Sequence, residues 1–237
     1  MQGELERALA TVCDEPVRIA GAGRTDAGVH AIGQVMSFRT VSELDGAKLG
    51  RGVNALLPED IAVSAAEQCG DEFHARFSAT GRTYEYRLRI GSDRDPLERW
   101  AYHHPAALRL DAMREASAAL IGRADFGAFA SGEGHGRRTV RTVRKAEWTR
   151  EGELLRFEIE ADAFLRGMVR AIVGTLLWVG RGKVGVERFG EIVRSTDRAQ
   201  AGPSAPARGL CLTQVTYGAR HERNESRRDP SDDGDND

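Results

Sequence analysis

One stretch constrains this chain more than any other: Phe164 to Val179 is apolar over helical length, with Arg166 and Arg170 as its only charged residues. Gly180 and Gly182 stop it, as glycine commonly does just past a helix end. The run falls short of the roughly 18 consecutive apolar residues that a membrane span needs, so it predicts a long apolar helix inside a globular protein. Arg166 and Arg170 are four apart and share one face of that rod. Each is either snorkelling to solvent or held inward against a carboxylate. Spacing alone does not choose.

The rest of the chain mixes strand and helix periods. Thr83 to Ile90 alternates, with Tyr84, Tyr86, Leu88 and Ile90 on one face and Glu85, Arg87 and Arg89 on the other. Leu155, Phe157 and Ile159 alternate against Arg156, Glu158 and Glu160, and further strands are expected around 17–20, 36–38, 140–148 and 210–217. Helical spacing marks Leu5, Ala8, Leu9 and Val12, then Met113, Ala116 and Leu120 behind an Asp111 cap, then Val186, Phe189, Ile192 and Val193. Residues 131–138 read as a flexible basic loop, and 92–105, with two prolines, as a join between halves. A length of 237 residues suits one or two domains. The expectation is an α+β protein, with an N-terminal subdomain over 1–97, a C-terminal subdomain over 98–218 and a disordered charged tail over 219–237.

Charge leaves the partner open. The net charge is −2, but the segment after Gly218 alone carries four arginines and seven acids. Of 34 basic residues only Lys48, Lys145 and Lys183 are lysine. The planar guanidinium fork suits phosphates and stacking, which makes RNA a possible partner, while coding bias or a salt-adapted proteome accounts for the same composition. Cys13, Cys69 and Cys211 stand apart, so neither a disulfide framework nor a thiolate metal site is indicated. With no signal pattern at the N-terminus, the expected compartment is the cytoplasm, without membrane association.

The chemistry concentrates in Gly21-Ala22-Gly23-Arg24-Thr25-Asp26-Ala27-Gly28-Val29-His30. A strand followed by Gly21-x-Gly23 invites a dinucleotide-binding reading. However, Asp26 occupies the place of the third glycine, and a carboxylate there would repel a pyrophosphate. What remains is an acid in a tight loop, flanked by Arg24 and His30. The glycines around it allow close backbone approach to a ligand; its plainest role is a turn aspartate paired with Arg24. Tyr84 on an apolar face reads first as a core tyrosine. His103 and His104 are adjacent and do not share a face, which argues against a metal site.

Several blocks together carry a resemblance: Gly23 to His30, Asn54 to Ile61, Phe73 to Thr80, Arg82-Thr83-Tyr84-Glu85-Tyr86, Asp125-Phe126, Phe164 to Arg170 with Ile172-Val173-Gly174, and Ala205 to Leu210. In this order they resemble the TruA-type tRNA pseudouridine(38–40) synthases, over about residues 3 to 217. The resemblance implies a pseudouridine synthase fold: two α/β subdomains with mostly antiparallel mixed sheets, flanked by helices around a central basic cleft. It implies an isomerase acting in tRNA processing on uridines 38 to 40 of the anticodon stem-loop, as a homodimer without cofactor or metal. It assigns Asp26 as the catalytic aspartate, with Tyr84, Arg24 and Arg170 binding substrate, Tyr84 against the target base and Arg170 facing Asp26. The competing reading is a non-catalytic RNA-binding or RNA-folding protein on the same fold. One departure goes with the resemblance: family members carry a β-strand and a Gly-Trp-Gln loop ahead of the first helix, and this chain opens where that loop ends. The expectation is an N-terminal sheet with an unpaired edge.

Overall fold

The computed structural model describes residues 1–91, 93, 96–131 and 139–218. Most of the expected basic loop (132–138) and the charged segment from 219 onward lie outside the described residues.

In chain order the elements are α1 (Gln2–Cys13), β1 (Ala20–Gly21), β2 (His30–Ala31), β3 (Met36–Ser37), α2 (Gly46–Asn54), β4 (Ala79–Ile90) and β5 (Tyr102–His104). They continue with α3 (Leu110–Ser117), β6 (Gly122–Asp125), β7 (Val140–Glu151), β8 (Leu154–Ala161), α4 (Met168–Gly180), α5 (Val186–Ser195) and β9 (Leu210–Tyr217). The class is α+β. The chain divides into two compact units, both discontinuous in sequence. The first holds Met1–Gly23, Val35–Ala79 and the residues from Tyr217; the second holds Arg24–Gln34 and Thr80–Thr216. A boundary expected at residue 97 thus falls inside the second unit.

In the first unit, α1 and α2 pack together through Ala8, Leu9, Leu49 and Val53, with Val17 completing the buried cluster. Both helices are amphipathic, so burying these faces against each other is what holds them. Asp45 caps α2, its carboxylate accepting from Lys48 N at 2.8 Å. β1 and β3 form a two-stranded antiparallel ribbon, Ala20 opposite Ser37 and Gly21 opposite Met36.

The second unit is built on a seven-stranded sheet ordered β2-β9-β4-β8-β7-β6, with β5 added alongside β4. β2–β9 and β4–β5 are parallel, while β4–β8, β7–β8 and β6–β7 are antiparallel. The alternation read from sequence meets across β4 and β8: Tyr84 faces Ile159, Tyr86 faces Phe157 and Leu88 faces Leu155. That apolar face belongs to the same core as Met113 of α3, Ile172 and Leu176 of α4 and Phe189 of α5. Each such side chain contributes about 1.5–3 kcal/mol on full burial. Buried Trp148 donates Nε1–H to Ser117 Oγ at 3.1 Å, so its one polar atom is satisfied inside the core.

Two helix starts differ from expectation. The apolar helix begins at Met168 and not at Phe164, because Gly167 takes φ 70° and breaks the helical path. That turn is pinned by Ser131, whose N–H donates to Arg166 O at 2.8 Å and whose side chain fills the space a Cβ on Gly167 would need. Arg166 therefore precedes the helix, and the pair does not share a continuous helical face. α3 starts at Leu110 behind Arg109, which places Asp111 in the first turn and not at the cap. A carboxylate there still opposes the positive end of the helix dipole.

Candidate active site

The Asp26 loop is a tight turn fixed to the edge of the large sheet. Val29 N–H donates to Asp26 O at 3.0 Å, and Gly28 takes φ 79°, a value glycine adopts without strain. The chain then enters β2, with His30 beside Cys211 and Ala31 beside Leu212 of β9. Two more bonds follow, from Ile32 N and Gly33 N to Leu212 O, and the Gly33 backbone lies so close to the Thr213 carbonyl that no side chain fits. The aspartate is thus presented by a rigid support, although its own side chain sits in a turn.

Arg170, in the first turn of α4, meets it. Arg170 Nη1 lies 3.1 Å from Asp26 Oδ2, with side-chain exposures of 24% and 33%. Arg170 Nε donates to Ala205 O at 2.8 Å, and Ala205 N donates back to Arg170 O at 2.9 Å. The guanidinium therefore has one edge on a fixed carbonyl and another on the carboxylate. Arg166 reaches Asp26 Oδ1 only at 4.0 Å, from a side chain 80% exposed, a pairing worth little in water. The question left open by spacing is answered separately for each arginine: Arg170 is held inward and Arg166 lies at the surface.

Tyr84 stands on the core face of β4, half-buried, its ring edge-on to Phe164 with centroids 5.1 Å apart. Burial pushes its phenol up to about 12; the Arg82 charge opposes this and the Asp26 charge adds to it. Tyr84 is consequently a neutral hydroxyl at physiological pH, close enough to Asp26 to sense its charge. It is the core tyrosine of the plain reading, packed against the large apolar cluster, and its hydroxyl feels the Asp26 charge.

Other residues singled out by sequence lie elsewhere. Arg24 is exposed, and the ion pairs of Asp26 run to Arg170 and Arg166, not to Arg24. His30 packs edge-on against Trp100, with centroids 4.5 Å apart. His104 is buried and bonded to Arg181 and Ala106. Sequence reasoning missed the backbone of Ala205 and Pro206 as part of the site. Their signal was the Ala205-Pro206-Ala207-Arg208-Gly209 block, whose contribution is made through carbonyls that no residue pattern displays.

The arrangement brings together a partly exposed carboxylate, one guanidinium that orients it and an aromatic face with a neutral hydroxyl. A carboxylate so placed can stabilise positive charge on a sugar carbon or attack it. Among the described residues no helix is long and apolar enough to cross a membrane.

Comparison with known proteins adds a second line. The sequence profile of a family described as tRNA pseudouridine synthase matches residues 1–78 and 116–218. A tRNA pseudouridine synthase A of Geobacter sulfurreducens is 44% identical over 218 residues, covering 92% of this chain and 89% of the relative. One from Chloroflexus aurantiacus is 45% identical over 225 residues, covering 92% and 80%. A protein named tRNA pseudouridine synthase A 2, from Clostridium perfringens, is 40% identical over 218 residues, covering 92% and 89%.

Proposed function

This chain belongs to the tRNA pseudouridine synthase family, and from that membership we propose that Asp26 is its catalytic carboxylate, acting on uridines 38 to 40 of the anticodon stem-loop. The protein is a tRNA pseudouridine synthase, an isomerase. The observation that carries the residue assignment is the 3.1 Å contact between Asp26 and Arg170.

The reaction breaks the N1–C1′ bond of uridine, turns the uracil and rejoins it to C1′ through C5; the C5 proton is then lost and N1 regains one, so atoms balance without an external reagent. Cleavage develops positive charge at C1′, where the ionised Asp26 carboxylate stabilises it or bonds to it. Arg170 holds that carboxylate in one orientation through a charge-assisted bond. Tyr84 offers its ring to the detached base and, as a neutral phenol, a hydrogen-bond donor. Bringing the target uridine out of its stack costs a few kcal/mol; exposed Arg24 supplies a compensating phosphate contact. The protein acts as a homodimer in the cytoplasm and needs no cofactor. A purely RNA-binding role is disfavoured, because a carboxylate beside anionic RNA weakens binding.

The test is nucleoside analysis of unmodified tRNA incubated with the protein and with Asp26→Asn. The expected result is pseudouridine at 38 to 40 with the first and none with the second, tRNA affinity changing less than about tenfold, or 1.4 kcal/mol. Turnover by Asp26→Asn near the unsubstituted rate would remove the assignment.

A further inference from the structure

Tyr86 lies two residues beyond Tyr84 on the same face of β4 and is fully buried. The mechanism above does not use it. Its ring packs in the apolar core, where phenylalanine would fill the same space with no polar atom to satisfy. Its Oη nevertheless donates to Pro206 O at 2.9 Å. Burial pushes the phenol well above its ordinary value, so the group stays a donor at any physiological pH.

What Pro206 belongs to gives this bond its meaning. The segment Ala201–Pro206 is fastened along α4 at successive turns. Gly202 N donates to Thr175 Oγ1 at 2.8 Å, while Thr175 Oγ1 itself donates to Ala171 O at 2.8 Å. The Pro203 carbonyl occupies the space a Cβ on Gly174 would need. At the far end Ala205 exchanges two bonds with Arg170, one through each residue's backbone and one through the guanidinium Nε. Ala205 precedes a proline, which restricts it to extended conformations. Pro206 has no N–H, so its carbonyl is its only backbone group able to hydrogen-bond, and Tyr86 supplies that donor. The Tyr86 ring also fills the space where Gly209, three residues beyond Pro206, lacks a Cβ.

We propose that Tyr86 is a positioning residue: through Pro206 it fixes the Ala205 carbonyl, and that carbonyl sets the guanidinium of Arg170 so that Nη1 faces Asp26. The guanidinium is planar and its donors form a rigid fork, so fixing Nε on Ala205 O sets the direction of Nη1. The inference rests on the reading of Asp26 and Arg170 given above.

Tyr86→Phe, Arg170→Lys and the double variant test it under single-turnover and steady-state conditions with unmodified tRNA. Tyr86→Phe is expected to lower kcat about tenfold with KM within about twofold, the pattern of an interaction made in the transition state. Lysine has no Nε donor for Ala205 O in the fork geometry, so adding Tyr86→Phe to Arg170→Lys is expected to change the rate by less than about twofold. Effects that multiply in the double variant, a KM effect alone, or an unchanged kcat in Tyr86→Phe would overturn the role of Tyr86. A normal rate in Arg170→Lys would instead overturn the reading of Arg170, a distinguishable outcome. Should Tyr86→Phe fail to fold, Pro206→Ala provides the second arm. It keeps the carbonyl but frees Ala205, and is expected to lower kcat with the same non-additivity toward Arg170→Lys; an additive result there overturns the proposal equally.

Discussion

Arg170 Nη1 and Asp26 Oδ2 lie 3.1 Å apart although the two residues are separated by 144 positions in the chain. Each side of the contact is independently anchored: Asp26 by the turn leading into β2, Arg170 by the Ala205 carbonyl. The pair is therefore a product of the folded second unit, and its chemistry is testable residue by residue.

Replacing Arg170 with methionine removes a partly buried, charge-assisted bond while keeping an unbranched side chain. Such bonds contribute about 1.5–3 kcal/mol, so kcat is expected to fall between about tenfold and a hundredfold. Pre-steady-state rates with saturating tRNA check this; a rate within twofold of the parent would show that Asp26 works without its partner.

Tyr84→Phe keeps the edge contact with Phe164 and loses the hydroxyl. Turnover is expected to drop, while tRNA binding measured by filter retention stays close to normal. Because burial holds the phenol at about 12, it remains protonated through pH 10. The shape of the rate–pH profile between about pH 7 and 10 should be the same for both proteins. A basic limb that disappears in Tyr84→Phe would contradict the neutral-phenol role.

His104 predicts an acid-side loss of stability. Its Nε2 accepts from Arg181 Nε at 3.0 Å, and since arginine only donates, the ring proton sits on Nδ1 and points to Ala106 O at 2.9 Å. Burial first, then the Arg181 and His103 charges, push the imidazole below its ordinary 6.5, against the opposing bond to Ala106 O. The unfolded chain thus binds a proton that the folded one refuses. The contribution is complete above about pH 6.5 and is lost as the pH falls toward the lower folded value. Melting curves should decline from pH 7.5 to 5.5, and His104→Gln should flatten that decline; an equal slope in both proteins would refute it.

Two glycine-to-alanine changes are expected to act in opposite directions. At Gly50, inside α2, a Cβ meets nothing within 4 Å, so alanine should stabilise by about 0.5–1 kcal/mol. At Gly174 in α4 a Cβ would run into the Pro203 carbonyl, and overpacking of this kind costs about 1–3 kcal/mol. Denaturant midpoints report both, and a stabilising Gly174→Ala would mean the Ala201–Pro206 segment is not tightly held.

Some elements are legible in the amino-acid order and others are not, for a consistent reason. The face read from Thr83 to Ile90 is realised in β4, where Tyr86 and Leu88 are buried between half-exposed Glu85, Arg87 and Arg89, because a period of two is imposed by the strand itself. The α4 start is misread because Phe164 to Gly167 has apolar content suited to a helix. A contact from Ser131, 36 positions away, accompanies the left-handed turn at Gly167. Arg24, two residues from Asp26, is its natural partner on local reading alone, whereas the family resemblance puts Arg170 opposite Asp26; in the folded chain the close ion pair runs to Arg170.

By itself, the amino-acid order determined the residue chemistry, the faces of β4, β8 and α5, and membership of a family, all of which are local or cumulative along the chain. Only the tertiary structure decided which carbonyl holds Arg170, that Arg166 stays at the surface, and that Arg24–Gln34 belongs to the second unit. Periodicity is a short-range steric property of each element. Ion pairs and shared cores join segments that are far apart along the chain, and their geometry exists only once those segments have come together.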